Sequence, residues 1–525
     1  MTRSHEFTNA YNALCQPVVD PAALTRRRFL QAAAATAGAA TLSPMLGELA
    51  SAGALGANER VLVLVMMGGG NDSLNTVVPT NKPAYYSLRG SLAIPGNQAL
   101  PIGGGFGLHP SLPYLKQRWN QGDLAIVNGV GNPADDHSHF TSLAQWMSGA
   151  TQPGTLSGWI GRYLDGMPGV LSGVSVGDHG VPLHLVGQNS LAVGLPRRGD
   201  LFGSRQEHLY ETVVHDGIQR YATGSSGRGP LGDMIADIQS DSITTARDVE
   251  PIYTPQISQD GLVADMKLAA RLINLDVGAR VINVAFSGFD THDDQPGDHS
   301  AMLRELNDAL QAFFADLSPA YRSRTAVMTF SEFGRRVRPN DSSGTDHGSA
   351  GALFLIGDDV SGGRYGDQPS LTQLTERGDL RTEVDFRSVY ASVLEQWLDA
   401  DANQILGGNY ERLALFGAPG SGGVEIDPGV DEQQVVWQNG QWVVVSSSSV
   451  APDAVTSLPA EPGPPRQGRD RAPDQPRVAA VTGPNVSGEL DAYRQGLISS
   501  DSRVRRPDTS RRDELRRLLR PGIPA

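Results

Sequence analysis

AFSGFDTHDDQ (Ala285–Gln295), a helical segment, AVMTFSEFGRR (Ala326–Arg336) and GTDHG (Gly344–Gly348) form the stretch whose reading decides the fold. Val281–Phe286 and Thr325–Phe330 are apolar runs of strand length. Each ends in a turn bearing ionisable groups, Asp290 and His292 after the first and Glu332 after the second. In open α/β sheets ligands gather at the carboxyl ends of the strands, so acids and imidazoles placed there are set to converge. Asp290 and His292 stand two apart and project to one side wherever the chain is extended. Carboxylate beside imidazole suits a zinc- or manganese-type cation better than calcium. The plainer alternative is that Asp290 caps a helix and His292 is a surface imidazole; repetition of the pattern at three strand ends weighs against it.

Outward from this centre the pattern continues. Arg60–Met67 (RVLVLVMM) is a continuous apolar run, as expected of a strand covered on both faces. It enters Gly68-Gly69-Gly70-Asn71-Asp72-Ser73, which lacks the Lys-Ser/Thr of a phosphate-binding P-loop and carries Ser73 at the third glycine of the dinucleotide fingerprint. What remains is a strand-end loop presenting Asp72, a metal ligand or a helix cap. Asp123–Val130 reads as another buried strand, followed by GNPADDHSHFTS (Gly131–Ser142). There Ser138, flanked by His137 and His139, has the parts of a nucleophile with a base beside it, while capping of a helix by Ser138 or Ser142 is the alternative. Helical spacing marks Pro110–Trp119, Leu262–Leu275, Met302–Leu317 and Asp385–Leu398, and Ala352–Ile356 reads as a strand. Strand, helix, strand alternation predicts an α/β fold with a mostly parallel central sheet and helices on both faces. Tyr85–Leu108 reads as a loop, Val360–Gly366 as a turn, and the irregular Gly169–Pro255 as an insertion covering the site. Arg335 and Arg336 suit an anionic substrate, because a guanidinium fork matches phosphate or sulfate oxygens.

The chain has 525 residues and a formal net charge of -14, so no basic surface is implied outside its two ends and a nucleic-acid partner is excluded. Thr25-Arg26-Arg27-Arg28-Phe29-Leu30-Gln31, followed by an Ala-rich stretch ending in small residues near Ala57, resembles a twin-arginine export signal. The expected location is periplasmic or secreted, with no integral-membrane span. The only cysteine, Cys15, precedes the expected cleavage site. The expected division is a signal peptide at 1–57, the α/β domain at 58–420, a β-hairpin extension at 421–446 around Asn439-Gly440, and a Pro/Ser-rich then Arg-rich tail at 447–525.

Taken together, VLVLVMMGGGNDSLNTVVP (Val61–Pro79), GLHPSLPYL (Gly107–Leu115), SHFTSLAQW (Ser138–Trp146), FDTH, TFSEFGRR and GTDHG resemble the bacterial domain-of-unknown-function family fifteen-oh-one. That family is grouped with the alkaline phosphatase-like fold of phosphatases, sulfatases and cofactor-independent phosphoglycerate mutases. The resemblance implies that Asp72, Asp290, His292, Glu332 and His347 are metal ligands, that Ser138 is the nucleophile, and that Arg335 and Arg336 bind substrate. His139, beside Ser138, completes the catalytic set. Two departures stand out: the Asp-to-His spacing is short, and Phe333 occupies the place of a ligating His or Asn, so one divalent metal (zinc, manganese or similar) or none is expected. The implied activity is an exported, metal-dependent hydrolase of small phosphate or sulfate esters. The alternative is a catalytically inactive binding or assembly protein on the same scaffold, working with a second exported protein.

Overall fold

Val61–Gly68 is buried at every one of its positions. A strand can be covered so completely only with neighbours on both edges and a layer on each face. In the computed structural model the main sheet of the described residues has nine strands, labelled in chain order β1 (Val61–Gly68), β2 (Leu124–Gly131), β3 (Gly173–Val176), β4 (Val193–Leu195), β5 (Val281–Ser287), β6 (Thr325–Phe330), β7 (Gly351–Ile356), β8 (Gly363–Tyr365) and β9 (Val384–Asp385). Across the sheet they run β8-β2-β7-β6-β1-β5-β3-β4, with β9 also on β2. Every pairing is parallel except those of β7, which opposes both β6 and β2. Residues 4–16, most of 54–197, scattered positions from 217 to 240, and 243–417 are described, together with the backbone of 434–438 and 441–445. The chain divides into units Met1–Pro452 and Asp453–Ala525, and all described residues belong to the first. The twin-arginine motif and the tail beyond residue 446 lie outside the described residues.

Side-chain alternation along β1 sends its residues into two apolar layers. Val61, Val63, Val65 and Met67 join the core beneath the helices Gly261–Leu275 and Gln295–Asp316. Leu62, Leu64 and Met66 join the opposite core, against the helices His139–Ser148, Trp159–Leu164 and Phe386–Gln396. Fully burying one such side chain is worth about 1.5–3 kcal/mol relative to leaving it exposed. The expected mostly parallel α/β sheet with helices on both faces is therefore the observed one.

β7 lies at Ala352–Ile356 as read, and it is antiparallel because the connection from β6 (331–350) holds no helix to carry the chain back for a parallel return. Three expectations need correction. Val360–Gly366 contains the edge strand β8, and Tyr85–Leu108 lies among a helix (Pro83–Arg89) and a three-stranded sheet of Val77–Val78, Leu100–Gly103 and Phe106–Leu108. The segment read as a covering insertion, Gly169–Pro255, supplies β3 and β4, so part of it is framework. Beyond the domain, Gln434–Gln438 pairs antiparallel with Gln441–Val445, Trp437 opposite Trp442.

Asp72 is neither a cap nor a cluster member. It stands at the N-cap of the one-turn helix Ser73–Thr76 without a side-chain cap bond. Its carboxylate accepts hydrogen bonds from Arg89 at 2.6 and 2.8 Å and from Gln295 at 2.5 Å. Burial works to raise the Asp72 pKa, but the Arg89 guanidinium together with His299 and Gln295 holds the carboxyl below its usual range. Since Arg89 and Asp72 are 0% and 1% exposed, removing either leaves an uncompensated buried charge. Arg89→Met should destabilise by about 3–5 kcal/mol, and the Asp72→Asn/Arg89→Met pair by less than the sum of the single changes. Urea denaturation of the four proteins of that cycle checks this; additive losses would show that the pair is not coupled.

Candidate metal centre

The carboxyl ends of β5, β1 and β6 lie side by side, and their loops approach more closely than side chains permit. Gly69 and Gly70 have φ of +114° and +85°. A Cβ on Gly69 would lie 2.4 Å from the Asp290 backbone nitrogen, and one on Gly70 2.5 Å from the Phe333 ring. Glycine is the one residue that meets both conditions. Beneath these loops lies Arg335, 1% exposed, its guanidinium donating to the carbonyls of Gly69, Gly70 (2.8 Å), Phe289 (2.9 Å) and Thr345 (2.7 Å) and to Asp290 Oδ1 (2.7 Å).

Above it, three imidazoles turn the same nitrogen towards one carboxylate. His139 Nδ1 lies 2.8 Å from Glu332 Oε1, His292 Nδ1 3.2 Å from Asp346 Oδ1, and His347 Nδ1 2.9 Å from the His137 carbonyl. Those partners accept only, so each Nδ1 carries a hydrogen and each Nε2 faces inward, where it donates to Asp290 when protonated and would offer a lone pair to a cation when not. His292 Nε2 and His347 Nε2 stand 3.0 Å apart and lie 2.9 and 3.0 Å from Asp290 Oδ1. His139 Nε2 faces Asp290 Oδ2 at 3.6 Å, an ion-pair separation too long for a hydrogen bond, and both atoms are buried without a hydrogen-bond partner. Ligand atoms of His139, Asp290 and His347 all fall within 4.8 Å of one another.

Buried polar atoms are ordinarily satisfied, and the two of this cluster that are not, His139 Nε2 and Asp290 Oδ2, belong to a group with His347 whose ligand atoms could hold a metal ion. Imidazoles beside a carboxylate are donors that transition-metal cations accept, and the acceptor behind each imidazole follows the pattern by which metal-ligating histidines are oriented.

Burial would raise the Asp290 pKa, yet the close imidazoles of His139, His292 and His347 and the charge of Arg335 hold it well below the carboxylate range. Burial would lower that of His139, but Asp290 and Glu332 lift it to about 9. His347 is lowered, first by burial and then by the nearby Arg335 and His139 charges, against the opposing pull of Asp290.

Of the residues expected from sequence, Asp290, His292 and His347 come together, and His139, expected in catalysis, joins them. Glu332 stands one shell back, 0% exposed, accepting the Gly69 N–H at 2.9 Å as well as His139. Ser138 sits at the N-cap of the helix His139–Ser148, its backbone N–H on Asp136 and no side-chain cap bond formed. Both ring nitrogens of His139 face carboxylates, so it is not placed as a base for Ser138. Arg335 is sealed beneath carbonyls and offers no donor to a substrate, which corrects that expectation; Arg336, with its side chain 41% exposed, lies 3.6 Å from Asp379. Sequence reasoning passed over Asp346 as part of the site. Asp346 orients His292, and its position beside His347 in GTDHG was the available signal. Phe333 packs its ring 4.9 Å from His139 and 4.6 Å from His347, an apolar wall where a ligand was looked for.

Residues 241–406 match the model of the family described as protein of unknown function (DUF1501), a span holding Asp290, His292, Glu332 and His347. No curated protein sequence matches the chain. Among solved structures it is similar to Ps i-CgsB in complex with k-i-k-neocarrahexaose, at 9% identity over 67% of this chain and 73% of that one, TM-score 0.31. It is also similar to alkaline phosphatase from the Antarctic bacterium TAB5, at 10% identity over 57% and 92%, TM-score 0.28. A third is the PH0037 protein from Pyrococcus horikoshii, at 10% identity over 57% and 86%, TM-score 0.23.

Because Glu332 fixes the His139 ring without joining the inner set, Glu332→Ala should weaken zinc or manganese binding by roughly 10–100-fold while leaving a folded protein. Titration with the metal alone checks this; unchanged affinity would remove Glu332 from the site.

Proposed function

We propose that this chain holds one divalent cation, zinc or manganese, through His139, Asp290, His292 and His347, and hydrolyses small phosphate or sulfate esters after export by the twin-arginine route. The observation that carries the reading is the convergence of three inward Nε2 atoms and the Asp290 carboxylate at the carboxyl end of a mostly parallel sheet, where such folds place ligands. A cation bound there supplies Lewis acidity toward an ester oxygen and lowers the pKa of a bound water. The chain's own contribution is positional: Glu332, Asp346 and the His137 carbonyl orient the imidazoles, and Phe333 forms an apolar wall beside His139 and His347. No helix among the described residues is long and apolar enough to cross a membrane.

A second reading is favoured by one specific observation. Ser138 has no base aligned with it and Arg335 is committed to backbone carbonyls, so the two groups expected to handle an anionic ester are not poised for it. On that reading the metal site is structural or binds a ligand, and a second exported protein is the partner.

Metal analysis of the purified protein, followed by phosphomonoester and sulfate-ester panels, separates the two. One equivalent of zinc or manganese, with ester hydrolysis lost in His347→Ala, supports the hydrolase. A loaded protein silent on both ester classes supports the binding reading, and a preparation that can never be loaded defeats both. For export, replacing Arg26 and Arg27 by Lys should leave the protein in the cytoplasm; unchanged export in cell fractionation refutes the signal assignment.

A further inference from the structure

The helix Ser4–Leu14 and the short strand Cys15–Gln16 lie upstream of the paired arginines, yet they pack on the α/β domain at the rim of the metal site. Phe7, Ala10 and Tyr11, at helical three-and-four spacing, are 4%, 0% and 2% exposed, whereas Glu6, Asn9, Asn12 and Ala13 face outward. The Phe7 ring meets the His139 ring edge-on, centroids 5.9 Å apart and planes at 79°. It also fills the space over Gly68, the last residue of the central strand, where a Cβ would come within 1.9 Å of the Phe7 ring. Tyr11 stacks on Phe7 at 5.8 Å, meets His179 edge-on at 5.7 Å and accepts a 3.5 Å hydrogen bond from the Asn283 side chain. Cys15 and Gln16 add an antiparallel pairing to Pro182 and Val181.

Each of these contacts belongs to a built interface. The segment places one apolar face in a pocket, docks its end as a strand, and sets an aromatic ring against a residue of the ligand set. Gly68 matters most here, because the absent side chain at the end of β1 is what makes room for Phe7. We infer that residues 4–16 form a built-in plug of the metal centre, which restricts entry to His139 while the segment is docked. Cleavage near Ala57, expected from the export signal, separates this segment from the domain covalently, so processing opens the site. A site closed before cleavage would hold its metal, or exclude the wrong one, until export is complete. The inference rests on the metal-site reading above, and the test distinguishes the two.

The full chain, its Phe7→Ala/Tyr11→Ala variant, and a full chain with a specific protease site placed after Ala57 and cut after folding are stripped with a chelator and reloaded with zinc or manganese alone. The plug predicts metal uptake at least tenfold faster in the variant and in the cut protein, with the same final stoichiometry. Equal rates in all three overturn it. In parallel, acylation of His139 by diethyl pyrocarbonate is followed by peptide mass spectrometry on the stripped proteins. Faster modification once Phe7 is truncated or the leader is cut supports the plug, and equal modification overturns it. If no form takes up metal the metal-site reading fails, while the acylation rates still decide whether Phe7 covers His139. A synthetic peptide of residues 4–16, added to the cut protein, should restore slow modification.

Discussion

One buried cation organises the centre of this molecule. A guanidinium withdrawn from water is costly unless its donors are taken up, and Arg335 meets that condition with four backbone carbonyls and one carboxylate. Gly69 and Gly70 follow β1, Phe289 and Asp290 follow β5, and Thr345 precedes β7. A single side chain therefore ties the loops of separate strands to one another. It also divides the labour of Asp290: Oδ1 is engaged by Arg335, while Oδ2 is turned to His139. Loss of this node would release the loops as well as a charge, which is why the site and the fold cannot be argued separately here.

The histidines show how such a scaffold specifies chemistry. An imidazole offers two nitrogens, and whichever one is tied down decides which is free. Two carboxylates, of Glu332 and Asp346, and the His137 carbonyl tie down the same nitrogen in all three rings. His137 itself has φ of +66°, a backbone conformation uncommon for a residue with a side chain. Its N–H is held by Asp135 Oδ1 at 3.0 Å, so local polar contacts support the turn that presents this carbonyl. Phe333 completes the arrangement from the apolar side, packing against two of the rings and leaving them little freedom to rotate.

Much of this was legible in the residues. Continuous apolar runs mark β1, β2, β5, β6 and β7 because strands buried on both faces have no polar side to show, and acids just after such runs mark the site. What stayed hidden depended on direction or on distant partners. Nothing local tells an inward Arg335 from an outward Arg336, although the two are neighbours and only the first is sealed in. Asp72 looked like a ligand because its partner, Arg89, stands 17 residues later in a segment read as loop. His139 was assigned to Ser138 on adjacency, but a helix start points consecutive side chains in different directions, and only the imidazole turns into the cluster. The antiparallel sense of β7 followed from the missing helix between it and β6, a feature visible in the sequence once connections, and not just strands, are counted.

Charge supplies the last constraint on what the centre can hold. Asp290 and Glu332 bring two negative charges and Arg335 one positive, while Asp72 and Arg89 neutralise each other nearby. One buried negative charge is left over, and it is this excess that draws a proton onto His139 and lifts its pKa to about 9. Asp346 adds little, since its half-exposed side chain is screened by solvent. A divalent cation in place of that proton turns the excess from one negative charge to one positive. On the metal reading proposed above, a pocket left with one positive charge and low exposure would suit a single anionic partner. Calcium is disfavoured by the imidazole donors, and a neutral ligand would leave the extra charge uncompensated. That balance would not depend on Arg335, which is committed to structure.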